Sequence, residues 1–254
     1  MPLRVFPTKL FACLLVLFFA EASRGASTDE LFREGTAAYR ASDFARAAKA
    51  FCECAGRQPA SGTLQNLGNA EWQGGSVGPA ILAWEQALWM NPFDEPARND
   101  LRFARKSAQV EAAELAWYEV VSSWFPSSWW AWIAGASSGL AIGMAMLPGI
   151  LRLGKAAWHQ AVAALALMVF LLSVPAQLGA LTHSRVGFVL QKDTPLRLTP
   201  TAEAQTVARL PAGKAARCER VRGNYVLIRT TPDGLHGWVA SEQFGLISAK
   251  ACNQ

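Results

Sequence analysis

Residues 128–181, SWWAWIAGASSGLAIGMAMLPGILRLGKAAWHQAVAALALMVFLLSVPAQLGAL, decide how the rest of the chain has to be read. The stretch carries charge only at its middle, where Arg152-Leu153-Gly154-Lys155 forms a short basic turn. On either side lies a run with no Asp, Glu, Lys or Arg. A hydrocarbon core of about 30 Å takes about 20 residues of helix to cross. The pattern therefore predicts two transmembrane helices, 128–151 and 156–181, joined by a cytoplasmic turn at 152–155. Trp129, Trp130 and Trp132 gather where the first helix enters, and Trp158 marks the opposite interface, as an aromatic belt requires. The bias of Lys and Arg toward the cytoplasm places both flanking regions on the outer face.

Gly135, Gly139 and Gly143 recur every four residues along the first helix. Such small-residue ridges let helix backbones meet closely in lipid, with Ala157 and Ala161 as the expected mate on the second helix. The segment Gly135-Ala136-Ser137-Ser138-Gly139 formally matches a GxSxG nucleophile elbow. That elbow has to follow a strand, and this one sits inside an apolar helix, so packing is the reading.

The N-terminus reads as an export signal over 1–26. Arg4 and Lys9 precede the apolar run Leu10–Ala20, and small residues follow at Ala20-Glu21-Ala22 and at Gly25 and Ala26. An uncleaved anchor is the other reading. Across the 254 residues, 52% are hydrophobic and 17% charged, which agrees with lipid-buried segments. The net charge of +5 is spread along the chain with no contiguous basic run, which argues against nucleic acid as a partner. The cysteines show no CxxC pairs and no His at ligand spacing, so no metal or other cofactor is expected. Cys52 and Cys54 lie two apart on a predicted helix and point away from each other. Cys218 and Cys252 are the pair within one predicted domain, and an exported domain would permit a disulfide there.

Between the signal and the first apolar helix the chain repeats itself. Gly35-Thr36-Ala37-Ala38-Tyr39 through Pro59 aligns without gaps to Gly68-Asn69-Ala70-Glu71-Trp72 through Pro92, a separation of 33 residues. Each copy holds Gly, an aromatic four residues on, then Ala47 or Ala80, Phe51 or Trp84, Cys54 or Ala87, and Pro. This resembles the tetratricopeptide repeat, a helix-turn-helix unit in which small residues admit close helix contact and Pro ends the second helix. The expected domain is 27–125, with repeats at about 28–60 and 61–93 and a covering helix after Pro92. Repeats of this type bind peptides or helices in a groove lined by their first helices. The resemblance places Phe32, Thr36, Tyr39, Asn66, Asn69, Trp72 and Gln73 on that face. Phe32 and Thr36 replace the Lys and Asn that would clamp a terminal carboxylate, so a clamp is not expected. Packing between helices is the competing role for Tyr39 and Trp72.

From Val186 on, short alternating strands replace the helical pattern. They are expected at Val186–Leu190, Leu196–Leu198, Val207–Leu210, Ala216–Val221, Tyr225–Thr230 and Gly237–Ala240, with a turn at Pro232-Asp233-Gly234. Leu210-Pro211-Ala212-Gly213, Gly223-Asn224-Tyr225-Val226 and Gly237-Trp238-Val239 resemble a bacterial SH3-like (SH3b) domain over 183–254. Members of that family bind cell-wall peptides or brace neighbouring domains. Tyr225 and Trp238 are the candidate ligand shelf, with a place in the barrel core as the alternative.

The predicted whole is a multi-domain membrane protein: all-α tetratricopeptide helical repeats, two transmembrane helices and a small all-β SH3-like barrel. With the helix Ala97-Arg98-Asn99-Asp100-Leu101-Arg102-Phe103-Ala104-Arg105, this order resembles the E-type family of bacterial aerotolerance (Bat) operons. The resemblance implies a bacterial inner-membrane protein with both outer domains periplasmic. It also implies partnership with membrane-anchored von Willebrand A-type proteins and a MoxR-type ATPase, in stress tolerance or envelope assembly. No paired carboxylates, metal cluster or supported triad points to an enzyme. The expected function is a protein-interaction scaffold, with peptidoglycan-peptide binding through the SH3b domain as the alternative.

Overall fold

A computed structural model describes residues 28–150 and 157–249. The export signal, the basic turn 152–155 and Cys252 lie outside the described residues. Within them the chain forms helices α1 (28–40), α2 (Phe44–Arg57), α3 (Ser61–Gln73), α4 (Val77–Met90), α5 (Glu95–Ala108), α6 (Trp117–Ser122), α7 (Ser127–Ile150) and α8 (Ala157–His183). Strands β1 (Val186–Val189), β2 (Thr194–Arg197), β3 (Thr206–Leu210), β4 (Ala215–Arg222), β5 (Tyr225–Thr230), β6 (His236–Ala240) and β7 (Phe244–Leu246) follow.

Local chemistry sets the helix limits. The Asp43 side chain accepts from Arg46 N at the start of α2, and Asp94 accepts from Ala97 N at the start of α5, which satisfies donors that the first turn leaves open. Pro96 occupies the first turn of α5, where its missing N–H costs nothing. Arg105 and Lys106 close that helix where its dipole is negative, and Gln109 ends it in the left-handed region at φ 52°. Alanines at 47, 48, 50 and 55 flank Phe51 on the buried side of α2, so α2 and α3 pack closely. Gly35 lies against the Phe51 ring and Gly68 against the Trp84 ring, where a Cβ would collide with either.

The sheet is antiparallel and open, in the order β3-β2-β6-β5-β4-β1-β7. Its two faces differ. Val226, Ile228 and Val239 point into a small core with Val189, Leu196, Leu210 and Phe244. Its β1 end belongs to a second, larger core, in which Val186, Phe188, Ala215 and Ile247 are buried with Phe51, Leu64, Ile81, Trp84 and Leu101 of the helices. Three contacts fix that junction. A Cβ on Gly78 would collide with the carbonyls of Val189 and Leu190, so only glycine lets α4 approach β1. Gln86, buried on α4, donates to the Leu246 carbonyl at 3.1 Å and the Ala249 carbonyl at 3.3 Å. Gly213 holds φ +81° and lies under Ile81 and Val110.

This architecture corrects the expected one. A repeat domain, two transmembrane helices and a separate barrel are not what the described residues form. They form one set of helices whose core continues into an open seven-stranded sheet. The two Gly–aromatic contacts of the helices are local, and the helical core is completed by strand residues, not by further repeats. Among the described residues, one helix is long and apolar enough to cross a membrane: α8, with a mean hydropathy of 2.2 over its best window. The expected two-pass arrangement is therefore not supported. In α7, four serines, four glycines and three tryptophans dilute the aliphatic content that a span needs. It packs instead against α8, burying Trp130, Ala134, Ser137 and Ala141.

The covering helix expected after Pro92 is also shorter than its sequence suggested. It stops at Gln109, and residues 110–116 run irregularly to α6. Val110 is drawn to Gly213 on the sheet, so a tertiary contact overrides the helical propensity of the alanine-rich stretch. The six expected strands are present within a few residues, and β7, a three-residue strand paired with β1, was missed.

Candidate functional site

The residues expected to line a groove are partly brought together. Tyr39, Asn69, Trp72 and Gln73 line one surface cleft of about 220 Å³, with Trp84, Asp100 and Phe103. Trp72 is its centre, with ring centroids 6.0 Å from Trp84 on one side and 6.0 Å from Phe103 on the other. The indole Nε1 of Trp84 donates to Asn69 Oδ1 at 3.0 Å, which fixes the Asn amide and satisfies an otherwise buried donor. Tyr39 stands edge-on to Phe44 at 5.5 Å. The other three expected residues lie outside this cleft. Phe32 packs edge-on against Phe51 at 5.6 Å. The Thr36 hydroxyl donates to the Phe32 carbonyl at 2.9 Å, one turn back on its own helix. Asn66 is half-buried one turn before the cleft residues of α3.

Asp100 and Phe103 had not been singled out. They come from α5, which runs beside α3 and α4 and so presents its own residues to the same face. Phe103 is 62% exposed, unusual for a ring of that size. The available signal was the i, i+3 spacing of Asp100 and Phe103, which sets them on one side of the helix while Ala97, Leu101 and Ala104 occupy the buried side. The cleft is thus an aromatic floor with an acidic edge at Asp100.

On the sheet, Leu227 faces Trp238 directly, and Tyr225 faces Ala240. Tyr225 and Trp238 are diagonal neighbours on the same face. That face is the outer one: their neighbours Val226 and Val239 are buried, while Tyr225, Leu227 and Trp238 are half-buried. Arg197 of β2 is the register partner of Trp238, and its guanidinium donates to the Thr201 carbonyl at 3.1 Å. Trp238 therefore lies on the face of the sheet away from the inner core of Val226, Ile228 and Val239.

The glycine ridge of α7 does not face α8. A Cβ at Gly135, Gly139 or Gly143 would meet nothing within 4 Å. Ala157 and Ala161 are likewise exposed. The buried positions of α8 are Ala166, Ser173, Ala176 and Gly179, and Gly179 lies against the Tyr118 backbone of α6. The expected interhelical packing through these residues is therefore replaced by a different stripe.

Cys218 carries a free thiol, so the bridge considered for it is not formed, and Cys54 is also free. Burial pushes the Cys218 thiol up, away from the thiolate form. It packs against the inner core of the sheet, whereas His236 stands on the outer face with its Nδ1 3.6 Å from Glu219. The two cannot meet. Among the described residues, no group of three His, Cys, Asp or Glu side chains is gathered for a metal ion.

The closest electrostatic feature lies at the junction of helices and sheet. Glu119 of α6 is fully buried and receives Arg217 Nη1 at 2.6 Å, Arg217 Nη2 at 2.5 Å and Ala116 N at 2.8 Å. Burial pushes this carboxyl up, but the Arg217 guanidinium and the Ala116 amide outweigh it and hold it below its ordinary value. The pair clamps α6 to β4, and the Trp130 indole donates to the Ser122 carbonyl at 3.1 Å to hold α6 on α7.

Comparison with protein-family models, with curated proteins and with solved structures finds no match to this chain.

Proposed function

We propose that this chain is a non-enzymatic, membrane-associated scaffold that docks a protein partner on the cleft around Trp72. The observation that supports it most is the cleft in which half-buried Trp72 lies between buried Trp84 and exposed Phe103, with Asn69 and Asp100 beside it to orient a partner. Aromatic anchors in a shallow pocket are the usual energetic centre of a protein interface. Attachment is through α8, whose best window is only 17% buried and so turns apolar surface outward. The joined helices and sheet then work on the extracytoplasmic face of a bacterial inner membrane, in a complex of the aerotolerance-operon type. Membrane-anchored von Willebrand A-type proteins and a MoxR-type ATPase system are the partners that this resemblance suggests.

The test is crosslinking in intact membranes followed by affinity capture of the full chain. Wild type should recover a discrete partner that Trp72→Ala and Phe103→Ala both lose. Recovery of the same proteins by all three sinks the reading.

A second reading is supported by the outward placement of Trp238 beside Tyr225 and Arg197: the outer sheet face holds a cell-wall peptide. It predicts that the full chain in nanodiscs sediments with peptidoglycan and that Trp238→Ala does not. Equal sedimentation of both removes it.

A further inference from the structure

Helix α6 is built inside out. Its inward side is polar: Glu119 is fully buried in the clamp with Arg217, and Ser122 is buried where its carbonyl receives the Trp130 indole. Its outward side is apolar. Trp117 is 69% exposed, Val120 is exposed three residues on, and Trp124, in the turn that closes the helix, is 58% exposed. Offsets of three and seven residues share one side of a helix. In water the cheaper arrangement is the reverse, because a buried carboxylate has to be paired and an exposed indole forgoes the gain of burial.

The neighbouring elements continue that surface. A Cβ on Gly179 would collide with the Tyr118 carbonyl, so α6 and α8 touch backbone to backbone. Leu178 and Leu181, on either side of Gly179, are exposed. Trp129 and Trp132 are exposed at the start of α7, and the Phe125 ring stacks on Trp129 with centroids 6.0 Å apart. Indoles from α6 and α7 thus gather beside one level of α8. At the other end of α8, Trp158 is also exposed. It lies about 32 Å from Gly179 along the helix, at about 1.5 Å per residue, with no Asp, Glu, Lys or Arg between. That separation matches a hydrocarbon core of about 30 Å.

We infer that the outer side of α6 is a membrane-contact surface, on which Trp117, Val120 and Trp124 enter the headgroup layer of the bilayer that α8 penetrates. The inference rests on α8 as the membrane helix and adds a second, side-on contact with lipid. What covers the stripe on α6 has to cover Leu178 and Leu181 beside it, and lipid is the medium that α8 already meets. An indole suits this layer, since its ring is apolar and its N–H finds an acceptor among the headgroups. Because Glu119 ties α6 to β4, the contact also fixes the height of the sheet above the membrane.

The experiment uses the full chain, labelled with fluorotryptophan, in phosphatidylcholine nanodiscs. Fluorine NMR resonances are assigned with Trp117→Phe, Trp124→Phe and Trp72→Phe, or with Tyr at any position where thermal melts show that Phe is not folded. Three paramagnetic probes are compared: a nitroxide near the acyl carbonyl, a nitroxide near the acyl terminus, and a water-soluble gadolinium chelate. The Trp117 and Trp124 resonances should broaden at least twice as much with the first probe as with either of the others. Trp72, in the cleft, should respond mainly to the chelate. Leu171→Trp supplies a reporter in the middle of α8, which should broaden most with the nitroxide at the acyl terminus. If that reporter behaves so while Trp117 and Trp124 follow Trp72, the inference is overturned and the membrane helix stands. Protection of Trp117 and Trp124 from all three probes would mean that protein, a second copy included, covers the stripe, and also overturns it. If the reporter in α8 ignores both lipid probes, the membrane helix falls and the inference falls with it.

Discussion

Glu119 and Arg217 are 98 residues apart in the chain, yet meet through two hydrogen bonds of 2.5 and 2.6 Å with the carboxylate fully buried. The pair joins a six-residue helix to the longest strand of the sheet. Removing Arg217 strands a buried charge, and such losses cost about 3–5 kcal/mol; the partial exposure of Arg217 puts this one near about 3 kcal/mol. Arg217→Met should therefore lower the melting temperature markedly. Pairing it with Glu119→Gln should recover part of the loss, a coupling that a double-mutant cycle in nanodiscs measures directly.

The same pair sets an acid limit. The Glu119 carboxyl is held below its ordinary value of 4.5 in the folded protein. Folding then favours the deprotonated form, so its contribution is fully present above about pH 4.5 and is lost as pH falls through the lower folded value. Melting temperature should drop more steeply with acid below that point in wild type than in Glu119→Gln. Parallel slopes would show that the carboxylate is not the group responsible.

Glycine substitutions separate close approach from ordinary helix propensity. At Gly78 a Cβ would strike two backbone carbonyls of the sheet, which cannot swing aside, so Gly78→Ala should destabilise by about 3 kcal/mol. At Gly62, in the first turn of α3, a Cβ meets nothing within 4 Å. Gly62→Ala should be neutral or stabilise by up to about 1 kcal/mol. Chemical denaturation of the two variants side by side checks the contrast.

Asn69 is expected to support the cleft from beneath. Asn69→Leu removes the acceptor of the Trp84 indole and leaves that donor buried, which costs about 1–3 kcal/mol. Phe103→Ala, at an exposed ring, should change stability by no more than about 0.5 kcal/mol. Measuring melting and partner capture together distinguishes a collapsed cleft from a cleft that has lost only its contact surface.

For α8, the expectation concerns lipid. Leu171 lies near the middle of the helix and is exposed. Arg at such a position costs about 2.5–3.5 kcal/mol on insertion scales. Leu171→Arg should shift the protein from the membrane pellet to the soluble fraction on alkaline extraction, and Leu171→Ala should not. An unchanged pellet for Leu171→Arg would mean that α8 does not lie in hydrocarbon.

Much of this was legible in the residues, and the exceptions share a cause. Period-two alternation marks β2, β5 and β6, where buried and more exposed residues take turns, whereas β1 is buried on both faces and shows as a short apolar run. α8 was visible because twenty-seven residues without Asp, Glu, Lys or Arg need no tertiary context to be read as apolar. α7 is equally free of charge, but Ser, Gly and Trp fill much of its first half, and among the described residues α8 alone offers a window long and apolar enough to cross a membrane. The 110–116 segment left the helix to follow Val110 onto the sheet, a contact more than a hundred residues away in the chain. Tyr39, Asn69 and Trp72 were named through the tetratricopeptide resemblance, from their place on the first helices of the repeats. Asp100 and Phe103 were not, because only the packing of α5 beside α3 puts them on the same face.

The shared core has a bearing on how the protein is made. Phe51, Leu64, Ile81 and Trp84 are synthesised long before Val186, Phe188, Ala215 and Ile247, which complete their burial. Until the final strand emerges, the helices at the start of the chain keep an apolar side uncovered. Assembly therefore cannot proceed part by part from the N-terminus. A stop codon shortly before residue 247 would remove few residues yet leave the oldest portion of the chain unfinished, and exposed to proteases or aggregation.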